Sequence, residues 1–327
     1  LGLPYGPPAA VAASRDKYLM RQCFRIAGLR LPSFFRIGVN DDPHQAAAGA
    51  PYPCVLKPLG LSGSRGVIRA NGPQEFIAAF RRIKAILDSK DIRRLREPHH
   101  RYIQVESYIP GREYALEGIV TGGRLQVLAL FDKPDPLDGP FFEETIYVTP
   151  SREPAQLQEE IVVTAREAVR ALGLKHGPLH AEMRVNSHGV WMLEVAARPI
   201  GGLCAKALRF QGGMTLEELI LRHATGEDVS AARLADAASG VMMIPIPKAG
   251  VYEGVDGVDE AASTQGVEDV LITAKESQKL LPLPEGASYL GFIFARGESR
   301  EDVEASLRAA HAKLEFRIST ALPVVTA

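Results

Sequence analysis

The sequence predicts an α+β fold built largely from antiparallel sheets, in more than one structural unit. Three observations lead there. Strand-like runs come in pairs joined by short turns, helical stripes are interleaved with them, and 327 residues exceed what one small core needs. After about residue 230 the texture changes to short apolar runs (VMMIPI, VEDVLITA, SYLGFIFAR), which marks a smaller α+β unit.

LGLPYGPPAAVAAS opens the chain as an extended segment punctuated by Pro4, Pro7 and Pro8. SRDKYLMRQCFRIAG then reads as a helix, with Ser14 able to cap it, Asp16 in its first turn and Gly28 stopping it. Met20, Cys23, Phe24 and Ala27 give its buried stripe. YPCVLKP (52–58) and GVIRA (66–70) are strands separated by LGLSGSR. Pro73 opens a helix with Phe76, Phe80, Ile83 and Leu87 on one face. RYIQVESYI (101–109) is a strand broken by Pro110–Gly111, and REYALEGIV with LQVLALFD forms a hairpin around the Thr121–Arg124 turn. Residues 131–151, rich in Pro and Gly, read as a loop whose phenylalanines and glutamates suit a binding role. A helix over 154–172 buries Leu157, Ile161, Ala165, Ala168 and Leu172. HAEMRVNSHGVWMLEVAARP (180–199) is a second hairpin, with Trp191 expected in the core. Thr215 with Glu218 makes a capping box for a helix stopping at Gly226; Ser299 with Asp302 caps a last helix carrying Val303, Leu307 and Leu314.

Composition excludes several classes. The chain is 46% apolar and 24% charged with a net charge of −1, so it lacks the basic excess of a nucleic-acid binder. A small anionic ligand held by a few local cations stays compatible with that balance. Cys23, Cys54 and Cys204 are widely spaced, with neither a disulfide framework nor a metal signature, and point to a reducing cytosol. No apolar run approaches the roughly 20 residues of a membrane span, and no charged-then-apolar leader opens the chain. The chain starts at Leu1 instead of Met, which gives the expectation of a missing N-terminal portion.

Three constellations carry chemistry. In the second hairpin, a turn centred on Ser187–Gly189 sets Glu182 opposite Glu194 on one face. Like charges so placed invite a bridging hard cation or a shifted pKa, unless Arg184 or Lys206 neutralises them. In VLKPLGLSGSRGV, strand-borne Lys57 precedes a loop containing Ser62, Gly63, Ser64, Arg65 and Gly66. Its backbone N–H groups could cradle phosphate, although a plain flexible hairpin loop has the same composition. In VESYIPGREY, Glu106 and Glu113 flank a strand-to-strand hinge. Free backbone groups there can pair an adenine edge and Glu113 can accept from ribose, or both glutamates are solvated strand ends.

The order of these pieces, with Lys17 in the early helix and Arg198 after the hairpin, resembles the ATP-grasp superfamily over about residues 14–226. The GPFFEET loop and the EVAARPIGG ending look most like its L-amino-acid ligase branch. The resemblance implies two α+β lobes with nucleotide between antiparallel sheets. Residues 1–50 would be an opening segment and linker helix, 51–110 the small lobe with its glycine-rich lid, 111–230 the large lobe with a metal site, and 231–327 the C-terminal unit. It further implies that the nucleotide-fold-like domain usual before these lobes is absent. Lys17, Lys57, Ser62, Gly63, Ser64 and Gly66 would serve the ATP phosphates. Glu106, Tyr108 and Ile109 would serve adenine, and Glu113 ribose. Glu182 and Glu194 would hold Mg²⁺ or Mn²⁺, and Arg198, with Lys57, would act on the reacting groups. Glu143 and Glu144 would contact a substrate amine, and Gly201 and Gly202 would let backbone approach the acyl group.

One position departs from the pattern. Ala196 stands where many members carry an asparagine that completes the metal shell. The implied activity is ATP- and Mg²⁺-dependent joining of a carboxylate to an amine, through an acyl phosphate, with small molecules as partners and neither nucleic acid nor membrane. A bicarbonate-activating enzyme, a non-catalytic nucleotide sensor and a purely structural ion-pair hairpin are the alternatives. A homodimer is one option for its assembly.

Overall fold

The computed structural model describes residues 4–320. Helix α1 (Pro8–Arg15) occupies the segment expected to be extended. Proline in the first turn forfeits no hydrogen bond, and the alanines that follow are the strongest helix formers. Asp16 interrupts, and its side chain, not Ser14's, caps α2 (Lys17–Ile26) by accepting from the N–H groups of Tyr18 and Leu19. Ser14 instead donates to Val11 O, and Ala27 is exposed at the C-terminal cap. Strand β1 (Phe34–Gly38), helix α3 (Pro43–Ala48), strands β2 (Cys54–Pro58) and β3 (Ile68–Ala70), helices α4 (Pro73–Leu87) and α5 (Lys90–Arg93), and strand β4 (Tyr102–Ser107) follow. The four strands form an antiparallel sheet in the order β1-β4-β2-β3. The apolar stripe of α4 packs Phe76, Phe80, Ile83 and Leu87 against Leu56, Ile103 and Val105 of that sheet.

The second sheet holds eight strands. β5 (Arg112–Thr121) and β6 (Arg124–Asp132) form the expected hairpin. β7 (Ile146–Thr149) lies in the segment read as loop; all four of its residues are buried. After α6 (Ala155–Leu172) come β8 (His176–Asn186), β9 (Gly189–Ala196) and α7 (Leu216–Ala224), capped by Thr215 as expected. The C-terminal part adds β10 (Ala238–Ile244), β11 (Gly250–Asp256), α8 (Val258–Ala262), β12 (Val267–Ile272), β13 (Lys279–Leu280), β14 (Gly291–Gly297), α9 (Arg300–His311) and β15 (Glu315–Ser319). Ser299 and Asp302 close a capping box on α9, which ends before Leu314.

The strand order β12-β14-β10-β7-β6-β5-β8-β9 makes the C-terminal strands a continuation of the large-lobe sheet. The seam is β7, with Met242↔Ile146 through Ser239↔Thr149 on one side and Asp132↔Val148 on the other. Overlooking β7 therefore hid how the two parts join. A separate three-stranded sheet, β13-β11-β15, completes the C-terminal part. No helix among the described residues is long and apolar enough to cross a membrane.

Candidate active site

The β8–β9 hairpin brings Glu182 opposite Glu194, by a route different from the expected one. The turn is tighter: Asn186 pairs Gly189, and Arg184 pairs Trp191. That register alone would set Glu182 opposite Leu193. A bulge between Glu182 and Met183 pairings inserts Leu193 as the extra residue and restores Glu182↔Glu194. Trp191 is half-buried, donates to Asn186 and lies under the Arg30 guanidinium, so it is not core.

A cavity of about 880 Å³ is lined from both sheets. The structure brings to it Lys17, Lys57, Ser62, Gly63, Ser64, Glu106, Tyr108, Ile109, Glu113, Glu144, Glu182, Glu194, Arg198, Gly201 and Gly202. Gly66 and Glu143 do not line it. Gly66 sits at the base of the glycine loop at φ +74°, where a Cβ would come within 2.8 Å of the Pro58 ring. Its N–H donates to Pro284 O at 2.9 Å, which ties the loop to the C-terminal segment. The His99 imidazole packs on Gly60 in the space a Cβ would otherwise take.

The small-lobe end of the cavity is cationic. Lys17 Nζ donates to Leu61 O at 2.9 Å and lies 3.3 Å from Glu194 Oε2. Lys57 Nζ donates to Glu106 Oε2 at 2.6 Å, and Arg21 Nε donates to Glu106 Oε1 at 2.7 Å. Burial works against the Glu106 charge, but Arg21 and Lys57 outweigh it and hold the carboxyl at about 2. With its side chain so engaged, what Glu106 can offer an adenine ring is main chain.

The large-lobe end is anionic. Lys133 Nζ, at the end of the β5–β6 hairpin, donates to Glu113 at 2.8 Å, Glu144 at 2.5 Å and Glu182 at 3.1 Å, over the Tyr147 ring. Oxygen atoms of those three glutamates lie within 4.8 Å of one another. Burial pushes the Glu144 carboxyl up to about 7, with Glu182 and Glu113 adding to the rise against the opposing pull of Lys133. Burial disfavours the Glu182 charge too, yet Lys133 and His180 hold that carboxyl well below the usual range. Lys133 stays charged because the three carboxylates outweigh its burial. The opposed glutamates are thus balanced by Lys133 and Lys17. Arg184 instead donates to Glu113 at 2.9 Å and to Ile109 O at 2.8 Å, and Lys206 pairs with Asp269.

Ala196 faces His180 across the hairpin. His180 Nδ1 is hydrogen-bonded to Glu117, and its Nε2 lies 3.4 Å from Glu182 Oε1. Burial disfavours an imidazolium there, but Glu117 and Glu182 overcome it and raise the ring to about 10. Beside the position where a third metal ligand was expected stands a cation. Cys204 is buried, and that burial pushes its thiol up, as befits a packing residue.

Sequence reasoning missed Arg21, Lys133 and Glu117. Arg21 lies one helical turn beyond Lys17, so periodicity placed it on the same face, and a charged residue there reads as solvated. Lys133 directly follows an apolar strand run, the one local hint of burial.

The architecture sets one cavity between two antiparallel sheets, with lysines at one end and glutamates at the other. Residues 50–207 match the ATP-grasp domain family, and residues 242–319 match L-amino acid ligase C-terminal domain 2. The solved L-amino acid ligase from Bacillus licheniformis superposes with a TM-score of 0.81 at 27% identity, over 97% of this chain and 76% of that one. Residues 50–207 thus carry an ATP-grasp domain, and the chain is similar to the L-amino acid ligases over nearly its whole length. Dapdiamide A synthase of Enterobacter agglomerans is 28% identical over 58% of this chain and 44% of its own length. Alanine–anticapsin ligase of Bacillus subtilis (strain 168) is 26% identical over 68% and 49%. The chain spans about half the length of these curated relatives.

Proposed function

We propose that this chain carries the catalytic part of an ATP-dependent carbon–nitrogen ligase that joins an amino-acid carboxylate to an amine and releases ADP and phosphate. The observation that carries the reading is the segregation of charge within one cavity: Lys17 and Lys57, with Arg21 buried behind them, at one end, and Glu113, Glu144 and Glu182 at the other. A triphosphate needs the first, and a divalent cation or an ammonium group needs the second. The relatives' printed activities and the family matches support the same assignment.

The donor set at the anionic end is oxygen-only, which fits Mg²⁺ or Mn²⁺ and not a soft metal. Glu182 and Glu194 would hold the ion, which when bound offsets phosphate charge. Ala196 offers no side-chain oxygen where the asparagine-bearing pattern has one, which argues for fewer metal ions than that pattern allows. The remaining work falls to the chain's own groups. Lys57, Lys17 and the amides of residues 62–64 hold the phosphates in line with the acid. The acid's carboxylate oxygen attacks the γ-phosphorus, the bond to ADP breaks, and an acyl phosphate forms. Glu144 receives the amine, and an un-ionised amino group attacks the acyl carbon, forming the C–N bond as the proton that nitrogen loses passes to the departing phosphate. Phosphate leaves with the carboxylate oxygen, while Arg198 and nearby backbone amides stabilise the tetrahedral oxyanion. Closure of the glycine loop keeps water from the acyl phosphate.

The test is a phosphate-release screen with Mg-ATP over pairs of amino acids. The expected result is release that requires both an acid and an amine. Release driven by bicarbonate without any amine would assign the carboxylase-like chemistry instead.

A further inference from the structure

At the small-lobe end of the cavity, two buried cations share one buried carboxylate. Glu106 is 2% exposed, Arg21 1% and Lys57 9%. Glu106 Oε2 accepts from Lys57 at 2.6 Å and from Arg21 Nη2 at 3.3 Å, while Oε1 accepts from Arg21 Nε at 2.7 Å and Gln104 Nε2 at 2.6 Å. Lys57 alone would neutralise Glu106. Adding Arg21 leaves an uncompensated positive charge where little water reaches, an unfavourable arrangement unless an anion completes it. The mismatch shows in two further atoms: Arg21 Nη1 and Gln104 Oε1 are buried with no hydrogen-bond partner among the described residues. Burial loosens the proton on Lys57, and Arg21 adds to that effect against the pull of Glu106. Arg21 does not itself line the cavity, so its influence on a ligand passes through Glu106 and Lys57.

We propose that Arg21 is a positioning residue for phosphate binding: by sharing Glu106 it leaves Lys57 only partly neutralised, and the cavity holds a positive charge in reserve for the nucleotide. Helix α2 thereby sets both lysines, Lys17 directly and Lys57 through the arginine one turn further on. The inference rests on the cavity being an ATP site, but it concerns binding and not ligation.

The experiment is calorimetric titration of ATP, inorganic tripolyphosphate and adenosine into the unaltered chain, Arg21→Gln and Arg21→Lys. Thermal midpoints are measured without ligand. Arg21→Gln is expected to weaken ATP and tripolyphosphate by roughly 10- to 100-fold and to leave adenosine unchanged. Its unliganded midpoint should hold or rise, since Lys57 and Glu106 remain a matched pair. Arg21→Lys should recover most of the lost affinity. A variant whose midpoint falls while tripolyphosphate binds as before would make Arg21 a plain structural counter-ion and overturn the proposal. Should Arg21→Gln fail to fold, Glu106→Gln decides, because it leaves both cations without a carboxylate. Tripolyphosphate bound at least as tightly supports the reserve, and weaker binding overturns it. If the unaltered chain binds neither ATP nor tripolyphosphate, the nucleotide-site reading fails and this proposal with it. If it binds both and Arg21→Gln binds equally, this proposal alone fails.

Discussion

Strand alternation made Glu182, Glu194, Glu106 and Glu113 legible as candidates, because side chains two residues apart share a face and few alternatives fit. The cations that answer them were harder to read. Lys133 reaches three glutamates from three different strands or loops, and no local spacing encodes such a meeting. The Glu182↔Glu194 pairing was reached from a turn that the structure replaces, since a bulge compensates a shift of one residue. At this scale Glu194→Gln is expected to lower turnover by roughly 100-fold or more, as it removes a proposed metal ligand and the carboxylate that pairs with Lys17. Steady-state ADP formation checks it, and unaltered turnover would remove Glu194 from the metal site.

His180 gives a pH test. Its folded pKa of about 10 lies above the ordinary 6.5, so the fold favours the protonated ring. The resulting stabilisation is fully present below about 6.5 and is lost as pH rises through about 10. His180→Gln should therefore cost most in thermal midpoint on the acid side of that window and least on the alkaline side. An equal cost across the window would mean that the Glu117–His180 pair carries no charge.

Among the elements, the helices with clean apolar stripes and marked ends were readable: α4, α6, α7 and α9 fall within a few residues of expectation. α1 was not, because three prolines in eight residues suggest extension and only the placement of Pro8 in the first turn reconciles them with a helix. β7 was lost among prolines and glycines, although its burial makes it the seam of the large sheet. The segment between β13 and β14 carries a contact that sequence could not anticipate. Arg65 Nε donates to Glu285 O at 2.9 Å, Gly66 N–H donates to Pro284 O, and the Arg82 guanidinium pairs with the Glu285 carboxylate. These tie the glycine loop of the small lobe to the C-terminal part. Glu285→Arg is expected to speed tryptic cleavage after Arg65 and to raise the KM for ATP by a factor of about 2 to 5, in keeping with a half-exposed pair. Adding Arg82→Glu should reverse most of both effects. Identical cleavage rates in all three proteins would mean that the side-chain pair does not steady the loop.

Across the whole molecule, two sheets bring opposite charge to opposite ends of one cavity while the chain as a whole stays nearly neutral, at −1. That balance is why composition pointed away from nucleic acid yet left room for a small anionic ligand. The fold class followed from patterning, whereas a cavity between two antiparallel sheets was expected only from the resemblance to the ATP-grasp superfamily. The continuity of the C-terminal strands with the large lobe followed from neither, since it depends on a non-local pairing of β10 with β7. C-terminal residues such as Tyr289 and Phe292 consequently line the same cavity as the ATP-grasp residues. The proposed reaction activates a carboxylate by phosphorylation in this cavity before an amine attacks it. The direct measurement supplies an amino acid labelled with ¹⁸O in its carboxylate, together with ATP, Mg²⁺ and an amine acceptor, and analyses the released phosphate by mass. One labelled oxygen is expected in each phosphate formed; unlabelled phosphate accompanying amide formation would mean that no acyl phosphate is made.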